Sequence, residues 1–223
     1  MRAIKKSESL KQQIYNILKE DILNRHFIEE EVLNERKISE ELNVSRTPVR
    51  EALKALEAEG MVQYVPYKGV VIKKMGEKDL KNIFQIRTAL ELLTIELAMP
   101  NLSKKYILEL EKCHKKQEEL MNIDATKRKE LFIDSDIAFH GILIKMADNE
   151  LLNTMIRDIR DKIRRFGMNA IFCGEFRYAE TIKEHLAILD AVKSNDTELA
   201  KKVTKYHMQK TYENAYSYIT AQS

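Results

Sequence analysis

The hydrophobic residues near the start of the chain recur at the three- and four-residue spacing of an α-helix. They are Leu10, Ile14, Ile17, Leu18 and Ile22. This spacing predicts a first helix of about 17 residues. A second helix is predicted over 35–42, because Asn43 tolerates the left-handed conformation that a tight turn needs. A third helix is predicted to begin after Ser45, which would be its N-cap residue, and to end near Ala58, before Gly60.

Two short segments that follow the third helix have the pattern of β-strands. Residues 62–65 alternate between apolar and polar side chains, and residues 70–72 are all β-branched. Pro66 and Gly69 lie in the connection, and glycine can adopt the positive φ that a hairpin turn needs. A helix, a tight turn, a second helix and a hairpin together predict a winged helix-turn-helix domain over residues 1–75.

From residue 76 onward the apolar positions indicate only helices. Six are predicted, over 77–98, 103–122, 126–147, 150–171, 176–193 and 197–219. The turn before the last of them carries a capping-box pattern, Asn195-x-x-Glu198. The chain has six glycines and three prolines, so its turns are few and its elements long. The predicted fold class is therefore mostly α, with an N-terminal winged helix-turn-helix and a C-terminal all-helical antiparallel bundle over 76–223.

Charge and cysteine content narrow the classes of protein that the chain could represent. The net charge is +3, so a case for DNA binding has to rest on where individual basic residues lie. The two cysteines, Cys113 and Cys173, do not form a CxxC pair, which is typical of reduced thiols in a cytosolic protein. The sequence has neither an apolar signal segment nor a membrane-spanning stretch, so a cytoplasmic protein with no membrane partner is predicted.

The predicted third helix carries the residues best suited to read DNA. A helix that enters the major groove brings its first two turns to base edges and phosphates, and this helix has arginines in both turns. Arginine can donate two hydrogen bonds to O6 and N7 of guanine, whereas serine and threonine hydroxyls suit phosphate oxygens. The candidates are Arg46, Thr47 and Arg50 in the helix, Ser45 before it, and Arg36 and Lys68 beside it. The alternative is an ordinary solvated helix face that carries arginines.

Four residues of the predicted bundle could bind a metal ion. Asp136 and His140 are four residues apart on an apolar helical stripe, so both side chains should face the core. His185 and His207 lie on apolar stripes of the last two helices, and antiparallel packing brings them to nearly the same level. Three imidazoles and one carboxylate suit zinc, nickel or manganese and leave positions open for other ligands. The alternative is a polar core in which each buried group has a hydrogen-bond partner.

Residues 42–60, with the sequence LNVSRTPVREALKALEAEG, resemble the winged-helix signature of the GntR family of bacterial transcriptional regulators. The resemblance extends over residues 10–74. The DNA contacts that it implies are Arg36, Arg46, Thr47, Arg50 and the wing near Gly69. The chain departs from the family pattern at three positions where the family usually has glycine, namely Arg25, Glu30 and Asn43.

The helical half, over residues 78–215, resembles the FCD domain of the FadR subfamily of these regulators. The subfamily pattern is an aspartate, a histidine four residues later, and two further histidines in later helices. In this chain the pattern is matched by Asp136, His140, His185 and His207. The resemblance implies that the bound metal helps to hold a small carboxylate effector and that Arg87 pairs with this acid. From the residues alone, Arg87 shares a stripe with Glu91, so it should face the core and pair either with a ligand or with Glu91.

The combined expectation is a regulator of transcription, not an enzyme. Such a protein would form a homodimer through its helical domain, bind a palindromic operator in double-stranded DNA and alter that binding when the effector binds. By resemblance, repression is the favoured mode. One alternative is a metal-dependent hydrolase with a DNA-binding appendage, since bound zinc can activate water, although the chain has no HExxH or GxSxG motif. Another is a metal-sensing regulator without an organic effector.

Overall fold

The fold is described over residues 8–24, 26–164 and 175–221 of a computed structural model. The predicted fold class is confirmed, since the described regular structure is helical apart from one two-stranded sheet. The chain separates into two compact units, with the boundary between Met75 and Gly76. None of the described helices combines the length and the apolarity needed to cross a membrane. The features of the sequence analysis that lie outside the described residues are Arg25, Cys173 and the predicted helix end at 165–171.

The N-terminal unit contains three helices and a hairpin, as the sequence predicts. They are α1 (Leu10–Leu23), α2 (Glu35–Glu41), α3 (Arg46–Ala58), β1 (Val62–Val65) and β2 (Gly69–Ile72). Helix α1 has 14 residues, fewer than predicted, because its apolar stripe stops at Leu23 and polar residues follow. Apolar side chains of α1 and α3 share one buried core, which includes Ile14, Leu18, Val49, Leu53 and Leu56. This packing leaves the polar side of α3 exposed.

The turn between α2 and α3 keeps the backbone shape for which glycine is usual, although it contains none. Asn43 has a φ of 51°, and Glu30 in the preceding loop has a φ of 62°. Both residues therefore adopt the left-handed conformation despite their side chains. Ser45 is the N-cap residue of α3, as the sequence predicts, but its side chain makes no capping hydrogen bond. Ser45 is exposed instead.

The hairpin is an antiparallel pair of strands attached to the rest of the unit along its second strand. Its register pairs Val62 with Ile72 and Val65 with Gly69. The turn uses two residues of positive φ, Tyr67 at 64° and Gly69 at 95°. The loop before α2 forms backbone hydrogen bonds with β2, so the wing is held on one side by this loop.

The C-terminal unit is a bundle with six α-helices among the described residues. They are α4 (Glu77–Ala98), α5 (Lys104–Leu120), α6 (Ala125–Ala147), α7 (Glu150–Arg164), α8 (Glu175–Lys193) and α9 (Thr197–Thr220), with a 3₁₀ turn at Met99–Asn101. Helix α4 packs against α6, α7 and α9, whereas α8 packs against α5 and α9. Helices α4, α6, α8 and α9 therefore bring their inner faces to the middle of the bundle.

The turn between α8 and α9 differs from the predicted capping box by one residue. Asp196, not Asn195, is the N-cap of α9, and its carboxylate accepts a hydrogen bond from the backbone N–H of Leu199 at 2.8 Å. Asn195 has a φ of 55° and belongs to the turn that ends α8. The hairpin still brings His185 and His207 together, with ring centroids 4.8 Å apart.

Candidate metal centre and DNA-binding surface

Four buried residues of the helical unit converge at one point of the bundle. They are Asp136 and His140 of α6, His185 of α8 and His207 of α9. One candidate ligand atom of each lies within 4.8 Å of those of the other three. The structure therefore brings together all four of the residues that the apolar stripes singled out. Because they come from three helices, the site exists only when the bundle has formed.

The distances between these atoms suit a single metal ion. Nε2 of His140 lies 3.3 Å from Nε2 of His207, and Nε2 of His185 lies 3.5 Å from Oδ1 of Asp136. Ligands at about 2.1 Å from a tetrahedral zinc ion are about 3.4 Å from one another. Nε2 of His185 is buried and has no hydrogen-bond partner among the described residues. A metal ion would satisfy this atom, so the residues present fit the ion that the sequence predicts.

The Nδ1 atom of each histidine faces a polar side chain outside the candidate ligand set. The pairs are Glu184 with His207 at 2.6 Å, Gln117 with His185 at 2.9 Å and Glu91 with His140 at 3.3 Å. An oxygen atom on the Nδ1 side favours the tautomer whose Nε2 lone pair is free. Such partners orient the rings of metal-binding histidines and raise their basicity. The three imidazoles are thus arranged with Nε2 toward the common centre.

A second buried charge holds Glu184 in place. Both carboxylate oxygens of Glu184 accept hydrogen bonds from Arg177, at 2.6 and 2.8 Å, and Arg177 also donates to Thr211 at 3.1 Å. Burial alone would raise the pKa of Glu184, but its hydrogen bonds with His207 and Arg177 lower the pKa below the ordinary value. The carboxylate is therefore ionised and favours a proton on Nδ1 of His207.

His185 and His207 are neutral in the metal-free protein at neutral pH. Burial lowers the pKa of His185 well below its ordinary value. Burial likewise lowers the pKa of His207, although the hydrogen bond with Glu184 acts in the opposite direction. Neutral imidazole is the form that binds a metal ion, so the surroundings favour the competent state of both rings.

Arg87, the predicted effector contact, lies beside the same centre on α4. Its side chain is buried, and its Nε lies 3.6 Å from Oε1 of Glu91. The ion pair with Glu91, one of the two alternatives that the sequence allows for Arg87, is therefore present. Nε of Arg87 has no hydrogen-bond partner among the described residues. Burial disfavours the charged form of Glu91, but His140 and Arg87 hold its pKa well below the usual range. Glu91 is therefore ionised.

A second arginine reaches this cluster from α7. Burial lowers the pKa of Arg160, while the charge of Glu91 raises it and the charge of Arg87 lowers it. Nη2 of Arg160 is buried and has no hydrogen-bond partner in the described part of the chain. The charge of Glu91 acts on both guanidinium groups and that of Asp136 acts on Arg160, so a divalent ion at the candidate centre would add positive charge that these two carboxylates do not offset.

The sequence reasoning missed the groups that hold the candidate ligands. Gln117 carried a signal, because it is a polar residue on the buried stripe of α5 that also contains Leu110 and Leu120. Arg177 and Glu184 are seven residues apart on α8, so they share a face, and this spacing of opposite charges was a second signal. Both signals lie within single helices and could have been read from the sequence.

The residues predicted to contact DNA are exposed, apart from the half-buried Gly69. The exposed ones are Arg36, Ser45, Arg46, Thr47, Arg50 and Lys68. Arg36 pairs with Glu40 of the same helix at 2.8 Å. Arg50 pairs with Glu35 of α2, also at 2.8 Å. Arg46 forms no ion pair with any described residue, so its guanidinium is free to bind another molecule.

Lys68 lies in the turn at the tip of the hairpin. The adjacent Tyr67 is fully exposed and has positive φ, so the tip projects away from the core of its unit. A lysine at such a tip is a mobile point charge that suits contact with a phosphate group.

Comparison with known proteins identifies both units. Residues 10–72 match the family described as bacterial regulatory proteins, gntR family, and residues 82–210 match the FCD domain. The chain belongs to the GntR family and carries an FCD domain. A relative in Bacillus subtilis (strain 168), the uncharacterized HTH-type transcriptional regulator YdhC, is 30% identical over 195 residues, which are 87% of this chain and 86% of the relative. The HTH-type transcriptional repressor RspR of Escherichia coli (strain K12) is 27% identical over 213 residues, covering 93% of this chain and 90% of RspR.

Solved structures have the same fold as this GntR-family chain. E. coli McbR/YncC superposes with a TM-score of 0.73 at 24% identity, over 95% of this chain and 99% of that one. The metal-free FCD domain of TM0439 superposes with a TM-score of 0.53 at 24% identity, over 65% of this chain and 96% of that one. The chain is therefore a DNA-binding transcriptional regulator, and the relatives are named as regulators of transcription rather than as hydrolases.

Proposed function

We propose that this GntR-family protein is a homodimeric repressor whose binding to its operator is controlled by a small carboxylate at a metal centre. One observation carries the proposal, namely the buried convergence of Asp136, His140, His185 and His207. In a polar core without a metal, Nε2 of His185 would need a hydrogen-bond partner, and no described residue supplies one.

The donor atoms favour zinc, nickel or manganese as the ion. Imidazole nitrogen suits borderline divalent ions, and a single carboxylate adds one negatively charged ligand. Asp136 and Nε2 of His140, His185 and His207 would hold the ion. When bound, the ion would act as a Lewis acid with positions open to oxygen atoms of a further ligand.

The charge around the centre favours an anionic effector. The charge of Glu91 acts on both Arg87 and Arg160, and each arginine has a buried nitrogen without a hydrogen-bond partner in the described chain. A carboxylate placed between the ion and Arg87 would offset the positive charge that the ion adds and accept a hydrogen bond from the guanidinium. A neutral sugar or an amine would leave that charge without a counterpart.

Dimerisation and repression are proposed from the nature of DNA sites and from the relatives. Two recognition helices related by a two-fold axis read the two halves of a palindromic operator. The relative RspR is named a transcriptional repressor. The proposed DNA contacts of this chain are Arg36, Ser45, Arg46, Thr47, Arg50, Lys68 and Gly69. Effector binding would shift the population of dimer geometries and so alter the affinity for DNA.

Elemental analysis of the purified full-length protein tests the metal centre, and a thermal-shift screen of small organic acids tests the effector class. Elemental analysis should find about one divalent ion per chain. In the thermal-shift screen, an acid should raise the melting temperature, and a chelator should abolish this increase. Arg87→Met should lose this stabilisation by the acid. Arg157→Met is the matched control, because Arg157 is an exposed arginine of α7.

Two outcomes would contradict this proposal. A protein that contains no metal and is stabilised by acids regardless of chelation has no metal-assisted effector site. A protein that contains metal but responds to no acid, and whose DNA affinity changes on chelation alone, is a metal-sensing regulator.

A further inference from the structure

Glu35 joins the two helices of the helix-turn-helix through Arg50. Nε of Arg50 donates to both carboxylate oxygens of Glu35 at 3.2 Å, and Nη2 donates to Oε2 at 2.8 Å. Glu35 is the first residue of α2, and the side chain of Asn34 caps this helix by accepting hydrogen bonds from the backbone N–H groups of Arg36 and Lys37. The carboxylate that holds Arg50 is therefore attached to a well-fixed helix end.

The other candidate arginines of the helix-turn-helix are not held in this way. Arg36 and Glu40 lie on one helix with 70% and 63% of their side chains exposed, and exposed pairs of this spacing are weak. Arg46 forms no ion pair with a described residue. The side chains of Arg50 and Glu35 are 59% and 28% exposed, and their pairing uses two nitrogens and spans two helices.

The contact occupies one edge of the Arg50 guanidinium and leaves another edge free. Nε–H and one N–H of Nη2 point to Glu35, so both N–H groups of Nη1 and the second N–H of Nη2 remain available. Parallel N–H groups of this kind are the donors that contact O6 and N7 of guanine. Rotation of the guanidinium would break its hydrogen bonds to Glu35, so this pairing favours one orientation of the free edge.

We infer that Glu35 is a positioning residue for DNA recognition, which presents the free edge of Arg50 to a guanine and thereby contributes to sequence choice without touching a base. The inference rests on the proposed DNA-binding surface. A carboxylate beside the DNA backbone also repels phosphates, so Glu35 weakens binding to every sequence while it sharpens discrimination between sequences. Removing the charge of Glu35 should therefore raise the affinity for DNA and lower the discrimination between sequences. Removing a residue that only stabilised the fold would lower both.

The test uses duplexes that the full-length parent protein selects from a randomised library. Affinities for one selected duplex, its single-base variants and a random-sequence duplex are measured by fluorescence anisotropy for the parent and for Glu35→Gln. Glutamine keeps the size of the side chain and removes its charge. Glu41→Gln is the matched control, because it removes the same charge from the same helix, where Glu41 pairs with Lys37. Thermal melting checks that each variant is folded.

We expect Glu35→Gln to reduce discrimination at one guanine position by about 10-fold, while its affinity for the random duplex stays equal or rises. Arg50→Ala should lose discrimination at the same position, and the double variant should lose no more than Arg50→Ala alone. Glu35→Asp, which keeps the charge on a shorter side chain, should lose discrimination without a gain in affinity for the random duplex. Glu41→Gln should keep the discrimination of the parent.

Three results would overturn the inference or its basis. Unchanged discrimination in Glu35→Gln, with a parent that does select a sequence, removes the positioning role and leaves the proposed DNA-binding function intact. Parallel losses of melting temperature, random-duplex affinity and discrimination assign Glu35 a structural role. A folded parent that selects no sequence contradicts the proposed DNA-binding surface itself.

Discussion

Glu184 is not one of the proposed metal ligands, but it forms a hydrogen bond with one of them, His207. Its carboxylate accepts a hydrogen bond from Nδ1 of His207 and is fixed by Arg177. Glu184→Gln removes the charge that makes His207 a stronger ligand, so we expect the zinc affinity to fall about 10- to 100-fold. Competition with a chelating dye measures this change. Glu180→Gln, a half-exposed glutamate one turn earlier on α8, should bind zinc like the parent; equal affinities in all three proteins would exclude a tuning role for Glu184.

Individual residues differ in how far the sequence predicts them. His185 and His207 could be paired because their stripes face the core and a short turn joins their helices. Glu91 meets His140 through the packing of α4 on α6, and a single sequence does not specify which turn of α4 faces which turn of α6. Hydrophobic periodicity therefore does not predict contacts that depend on how helices far apart in the sequence pack together.

Among the elements, the turn between α2 and α3 depends on a single left-handed residue. Asn43 has a φ of 51°, and alanine at this φ is strained by about 1 kcal/mol, whereas glycine is not. We expect Asn43→Ala to lower the free energy of unfolding by about 1 kcal/mol and Asn43→Gly to leave it equal or higher. Urea denaturation of the two variants and the parent measures this difference. Identical midpoints for alanine and glycine would mean that the turn can relax without cost.

Helices and strands were predicted closely where hydrophobic periodicity or a turn residue defines them. The bounds of α4, Glu77–Ala98, are those that the sequence predicts, whereas α1 is shorter than its predicted length. The N-cap residues of helices are harder to predict from the sequence, because several neighbouring polar residues can each begin a helix. Thus Asp196 caps α9 in place of Asn195, and Ser45 stands at the start of α3 without a capping hydrogen bond.

In the molecule as a whole, the candidate metal centre and the proposed DNA-binding residues belong to different compact units. An effector can therefore act on DNA binding only by favouring one conformation or dimer geometry over another. Thermodynamic linkage then requires that DNA change the affinity for the effector by the same factor by which the effector changes the affinity for DNA. The sequence predicts both sites, but the sign and size of this coupling depend on differences between states that a single sequence does not encode.

The most direct test of this coupling is a titration of the selected duplex with metal-loaded protein, with and without the acid that raises its melting temperature. We expect the acid to change the affinity for the duplex by about 5- to 150-fold. The effect should disappear in His185→Ala, which loses a candidate metal ligand, and in Arg87→Met, which loses the proposed partner of the acid. Equal DNA affinity with and without the acid, or an acid effect that persists in His185→Ala, would contradict control of DNA binding through the metal centre.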